Sequence, residues 1–181
     1  MKGIVFTEFL DYVGSTISSD MVDDIIDDCS FEHGGAFTAV GTYPFQDMAA
    51  LVGALSKRTS VPMPNLLHGF GRYLCVRFAV LYPQFFDAKG SLFDFLESVN
   101  DQIHVEVKKL YPDAELPAFD TYSRSGDQLD LDYKSCRPLA ALAEGMIEAA
   151  SEHYREPVAV TTQRIGDGPE SFVRFSIRHH A

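Results

Sequence analysis

At 181 residues, with 46% hydrophobic and 23% charged side chains, the chain can bury a core without disulfides or a structural metal, which excludes a disordered tract, a collagen-like repeat and a disulfide miniprotein. Its 15 Lys and Arg against 26 Asp and Glu leave a net charge of −11, so a role in tracking nucleic-acid phosphates is excluded. Three cysteines, Cys29, Cys75 and Cys136, make no CxxC pair and point to a reducing, cytoplasmic setting. Glu8 and Asp11 interrupt what would be a signal-peptide core. The longest apolar stretch, Tyr73 to Phe86, is broken by Arg77 and Pro83, so no secretion signal or membrane span is expected.

Periodicity predicts helices over about 3–18, 20–29, 45–58, 64–81 and 91–111. In the second of these, Asp20, Asp23, Asp24, Asp27 and Asp28 alternate with Met21, Val22, Ile25 and Ile26. That is the pattern of an amphipathic helix with a solvated acidic face, and the Gly and closing Glu of a calcium loop are missing. In the fifth, Leu96, Val99, Ile103, Val107 and Leu110 mark one buried stripe, with His104 beside it. By spacing alone His104 fits a core histidine as well as it fits a metal or haem-iron ligand. No second His or Cys follows at i+3 or i+4, so a helix-borne zinc pair is excluded.

After Pro112 the pattern changes. Phe119–Tyr122 and Leu129–Tyr133 read as strands around a turn, a helix follows from Pro138 in its first turn, and 158–162 and 172–177 alternate as two further strands around Gly166-Asp167-Gly168-Pro169. The expected class is α+β: a helical part over about 1–62, then a part over about 63–181 with a four-stranded antiparallel sheet. If Tyr133 to Arg137 is extended, Tyr133, Ser135 and Arg137 share a face and form a row of donors suited to carboxylates. A solvent-facing edge strand explains the same five residues.

Taken together, His104, Pro117 and the Tyr133-x-Ser135-x-Arg137 motif resemble the signature of the H-NOX family, haem domains that bind nitric oxide or oxygen. The resemblance runs from Met1-Lys2-Gly3 through Gly71, Arg72 and Phe78 to Ala143-Glu144-Gly145 and the terminal strands. It implies haem b held without covalent attachment, since there is no CxxCH, with His104 as axial iron ligand. It further implies that Tyr133, Ser135 and Arg137 grip the propionates, that Pro117 presses on the porphyrin from the proximal side, and that Phe78 packs against the haem.

Oxygen-binding members carry a tyrosine nine residues after the motif tyrosine; here that position is Leu142. Leu74 and Phe9 stand at the other two distal positions, so the resemblance implies NO and CO as ligands and no stable oxygen complex. NO would release His104 and let its helix and the haem move, with Gly71 and Gly145 as pivots or as points of close packing. Output would pass in trans to a histidine kinase or a cyclic-di-GMP enzyme, and the acidic N-terminal helix offers a docking face. The chain is expected to be a sensor and not an enzyme. A haem-free interaction domain is the alternative. A hydrolase finds no support, because no GxSxG elbow or Cys-His signature occurs. Cys75, beside Leu74, reads as core filling, Cys136 has no assigned role, and His179 and His180 read as a frayed tail.

Overall fold

The computed structural model describes residues 1–168 and 170–180; the Pro169 turn signal lies outside them. Helices α1 (Gly3–Thr16), α2 (Ser19–Asp27), α3 (Phe45–Thr59) and α4 (Met63–Leu81) come first, followed by a short α5 (Pro83–Asp87). Next are α6 (Leu92–Ser98), a π-helical turn (Val99–Ile103) and α7 (His104–Leu110). The remainder is β1 (Ala118–Arg124), β2 (Gln128–Lys134), α8 (Ala140–Tyr154), β3 (Val158–Ile165) and β4 (Phe172–His179). The expected α+β class holds, with one antiparallel sheet in the order β1-β2-β4-β3.

Local chemistry places the ends. The Ser18 hydroxyl accepts from the Met21 N–H to start α2, and the Ser91 hydroxyl accepts from Asp94 to start α6, each satisfying an orphan first-turn donor. The acidic face of α2 is partly engaged, since Arg58 on α3 donates to Asp24 at 2.7 Å and to Asp28 at 2.6 Å, while Ile25 turns inward and is fully buried.

Two apolar cores result. Phe6, Phe9, Val13, Ile25, Leu51, Leu55, Phe70 and Leu74 build the first from α1 to α4. Phe86, Leu92, Phe95, Leu129, Leu131, Ile147, Phe175 and Ile177 build the second between α6, α8 and the sheet. Helix α4 feeds both: Leu74 enters the first core and Cys75 the second, with Phe78 packed against each. Cys75 is therefore core filling as expected, but in the other core from the residue it follows.

Four expectations need correction. The 91–111 helix is not continuous. An i→i+5 turn holds one residue more than an α turn, so residues after it are rotated by about 100° relative to a straight helix. The inferred stripe consequently fails at its end: Leu96 is buried, but Leu110 is 74% exposed. The helix after the motif begins at Ala140, so Pro138 precedes it. Strand β2 ends at Lys134, so Ser135 and Arg137 occupy a turn beyond it, and the single extended donor row does not form. His179 is no frayed tail: it closes β4, donates its backbone N–H to Asp127 at 2.9 Å and packs its ring 4.4 Å from Phe93.

Candidate functional site

The π turn delivers His104 to the first position of α7. There the ring is partly buried, 6.2 Å from the Phe119 ring, and its Nδ1 is buried without a hydrogen-bond partner. Burial, then the positive charge of Lys108, pulls its pKa below the usual histidine value, with the Pro117 carbonyl opposing them. These surroundings favour the neutral form, in which imidazole donates a lone pair to a metal.

An aromatic series continues from it into the sheet. Phe119 on β1 faces Tyr133 on β2 as a cross-strand pair at 5.1 Å, and Tyr133 lies 5.8 Å from Phe175 on β4. Burial raises the Tyr133 pKa, with a hydrogen bond to Ser135 working against it. The turn after β2 is closed by the Arg137 N–H donating to Ser135 Oγ at 3.0 Å. The motif side chains are therefore gathered by a strand end plus a side-chain-closed turn rather than by strand pleating. The Arg137 guanidinium donates from Nη1 to the Glu115 carbonyl at 2.8 Å and from Nη2 to the Glu115 carboxylate. Glu115 stands two residues before Pro117, so Arg137 also fixes the loop that carries the proline.

Phe9 and Leu74 are buried in the first core, and Leu142 on α8 packs partly buried against it. Phe9 meets Phe70 edge-on at 5.1 Å. Helices α4 and α8 touch backbone to backbone: a Cβ on Gly71 would stand 2.1 Å from the Leu142 carbonyl oxygen, and one on Gly145 would stand 2.1 Å from that of His68. Both glycines answer a close-packing need, and Gly71 sets the position of Leu142 directly. None of the side chains of Phe9, Leu74 and Leu142 carries a hydrogen-bond donor.

Composition gave no sign of three further features. Lys2 Nζ reaches Asp113 at 2.9 Å and Thr42 at 2.8 Å and lies 4.7 Å from the Tyr111 ring centroid, strapping the N-terminus to the loop after α7. Glu8, whose side chain is 6% exposed, is gripped by Arg77 through Nε at 2.7 Å and Nη2 at 3.2 Å. The only hint of it in the sequence is a carboxylate set between Phe6 and Phe9. The third is Glu115, a lone loop acid with no distinguishing pattern. Burial pushes the Cys75 thiol up to about 12, so it stays protonated and is no thiolate ligand, while Cys136 is exposed.

The family model described as haem-NO-binding matches residues 2–162. The chain belongs to this family. H-NOX domains are haem-binding gas sensors, and the fold described above is theirs. An Fe(II) unliganded H-NOX protein from K. algicida is 34% identical, covering 100% of this chain and 97% of its own, with a TM-score of 0.93. The H-NOX from Shewanella woodyi, solved in the Fe(II)CO state, is 32% identical over 99% of this chain and 95% of its own, with a TM-score of 0.82. An oxygen-binding H-NOX domain, solved as its oxygen complex, shares the fold at a TM-score of 0.84 with 20% identity, over 100% of this chain and 96% of its own. No curated protein sequence matches. Among the described residues no helix is long and apolar enough to cross a membrane.

The residues present fit a haem. They provide a partly buried imidazole with a partnerless Nδ1, an arginine and two hydroxyls at the end of β2 for carboxylates, and Phe78 at the junction of the two cores.

Proposed function

We propose that this H-NOX domain is a nitric-oxide sensor, a binding and regulatory protein and not an enzyme, that holds haem b with His104 as the axial ligand. The observation that carries this is the partly buried His104 ring, whose Nδ1 is buried without a hydrogen-bond partner. Tyr133, Ser135 and Arg137 would bind the propionates, where guanidinium and hydroxyl donors suit carboxylates. Pro117 and Phe78 would pack against the ring.

Ferrous haem, when bound, supplies the iron that takes NO or CO. Phe9, Leu74 and Leu142 offer bound oxygen no donor for the negative charge it acquires, which favours NO and CO and disfavours a stable oxygen complex. Release of His104 would free α7 at the π turn, where the helix already departs from α geometry. Lys2 and Asp113 tie that segment to the N-terminus, so movement of α7 would pull on both halves of the molecule. That is a two-state element biased by a ligand, and its output would pass to a separate effector, a histidine kinase or a cyclic-di-GMP enzyme.

The test is an anaerobic absorption spectrum of the ferrous protein before and after NO, repeated for His104→Gly with and without imidazole. Loss of the proximal ligand on NO binding, with the variant needing imidazole for normal ligation, is expected. A wild-type protein that takes up no haem would make the chain a haem-free interaction domain.

A further inference from the structure

We propose that the Glu115 carboxylate competes with a haem propionate for the Arg137 guanidinium, so that loading the cofactor exchanges one carboxylate for another on the same fork. This rests on the haem reading above.

Three observations carry it. First, Arg137 is spoken for: its Nη1 donates to the Glu115 carbonyl and its Nη2 to the Glu115 carboxylate. The Nη2 donor that a propionate oxygen would need is the one the Glu115 carboxylate already holds. Second, the partners are unequal. The Arg137 side chain is 11% exposed and its backbone is held by Ser135, whereas the Glu115 side chain is 72% exposed. The fork is fixed, and the carboxylate can turn into water while the backbone carbonyl keeps its own bond to Nη1. Third, the local charges leave no room for both. The Met1 ammonium, Lys2 and Arg137 stand near Asp113 and Glu115, so two added propionates would leave anions in excess of cations. Turning Glu115 away from the guanidinium leaves the three cations facing Asp113 and the two propionates, which balances the cluster.

The exchange makes Glu115 a residue that tunes haem affinity and ties it to the loop bearing Pro117. Glu115→Gln keeps the backbone contact and removes the charge. It is expected to raise haem affinity about threefold to tenfold, the range for one solvent-accessible ionic hydrogen bond at a partly buried arginine, measured by haem transfer to apomyoglobin. The gain should disappear in the Arg137→Gln background. It should also disappear when iron protoporphyrin dimethyl ester, which lacks free carboxylates, replaces haem. A second readout does not depend on affinity: the effects of Glu115→Gln and Arg137→Gln on melting temperature should be non-additive in the haem-free chain and additive in the loaded one.

Unchanged affinity in Glu115→Gln, or a gain that persists with the dimethyl ester, overturns the proposal alone. Weakened affinity also overturns it and makes Glu115 a residue that orients Arg137. Absence of haem uptake by the wild type overturns the sensor reading and this proposal with it.

Discussion

Gly71 and Leu142 meet backbone to backbone, so closely that a Cβ on the first would stand 2.1 Å from the carbonyl oxygen of the second. Since Leu142 also packs on the core that holds Phe9 and Leu74, the absence of a side chain at Gly71 sets how closely α8 approaches that core. Gly71→Ala must push α8 away from α4, because backbone cannot step aside as a flexible side chain does. Overpacking of this kind costs about 1–3 kcal/mol, about 2–12 °C in melting temperature for a domain of this size. Calorimetry of Gly71→Ala against Gly53→Ala, a helical glycine with open space around its Cβ, separates the seam from helix propensity.

The Glu8–Arg77 pair is the second fastening of α4, this time to α1. Arg77→Leu would leave the buried Glu8 carboxylate without its partner, and is expected to lower the urea midpoint of unfolding. Glu8→Gln in the same background should restore part of that loss, since the penalty comes from the unpaired charge and not from the missing arginine. Additive losses in the double variant would show that the two side chains act separately.

The histidine at the start of α7 gives stability a pH dependence of known sign. Burial lowers the His104 pKa below 6.5 in the folded chain, so the unfolded chain binds the proton more readily. Above the unfolded value the group contributes nothing. As pH falls through about 6.5 the folded state is penalised, and the penalty is complete below the folded pKa. Haem-free wild type should therefore lose stability relative to His104→Gln between about pH 7 and pH 5, as read from urea midpoints. A constant difference across that range would mean the ring is solvated.

The distal residues decide which gas stays bound if the sensor reading holds. Wild-type ferrous protein in air should give no lasting oxygen spectrum, because its distal side chains lack a donor. Leu142→Tyr places a hydroxyl on α8 next to the Gly71 seam, and should slow oxygen loss enough for that spectrum to be recorded. An oxygen complex already stable in the wild type would require a donor that Phe9, Leu74 and Leu142 do not supply.

Apolar periodicity alone determined α1 to α4, the four strands and the α+β class, because each of these elements buries one regular face and its spacing shows it. Membership of the H-NOX family was legible as well, through a resemblance that His104, Pro117, Tyr133, Ser135 and Arg137 carry together. Three things were decided by tertiary structure. The break in the 91–111 helix escaped the sequence because one inserted residue in a turn leaves side-chain types unchanged and only rotates the residues after it. The split of Leu74 and Cys75 between two cores depends on what packs on each side of α4, which neighbouring letters do not record. Pairing of Glu115 with Arg137 joins residues 22 positions apart across a loop and a turn, where no periodicity operates. Regular elements are written in local spacing; the charge partners around the site come from chain segments that meet only when the two cores close on α4.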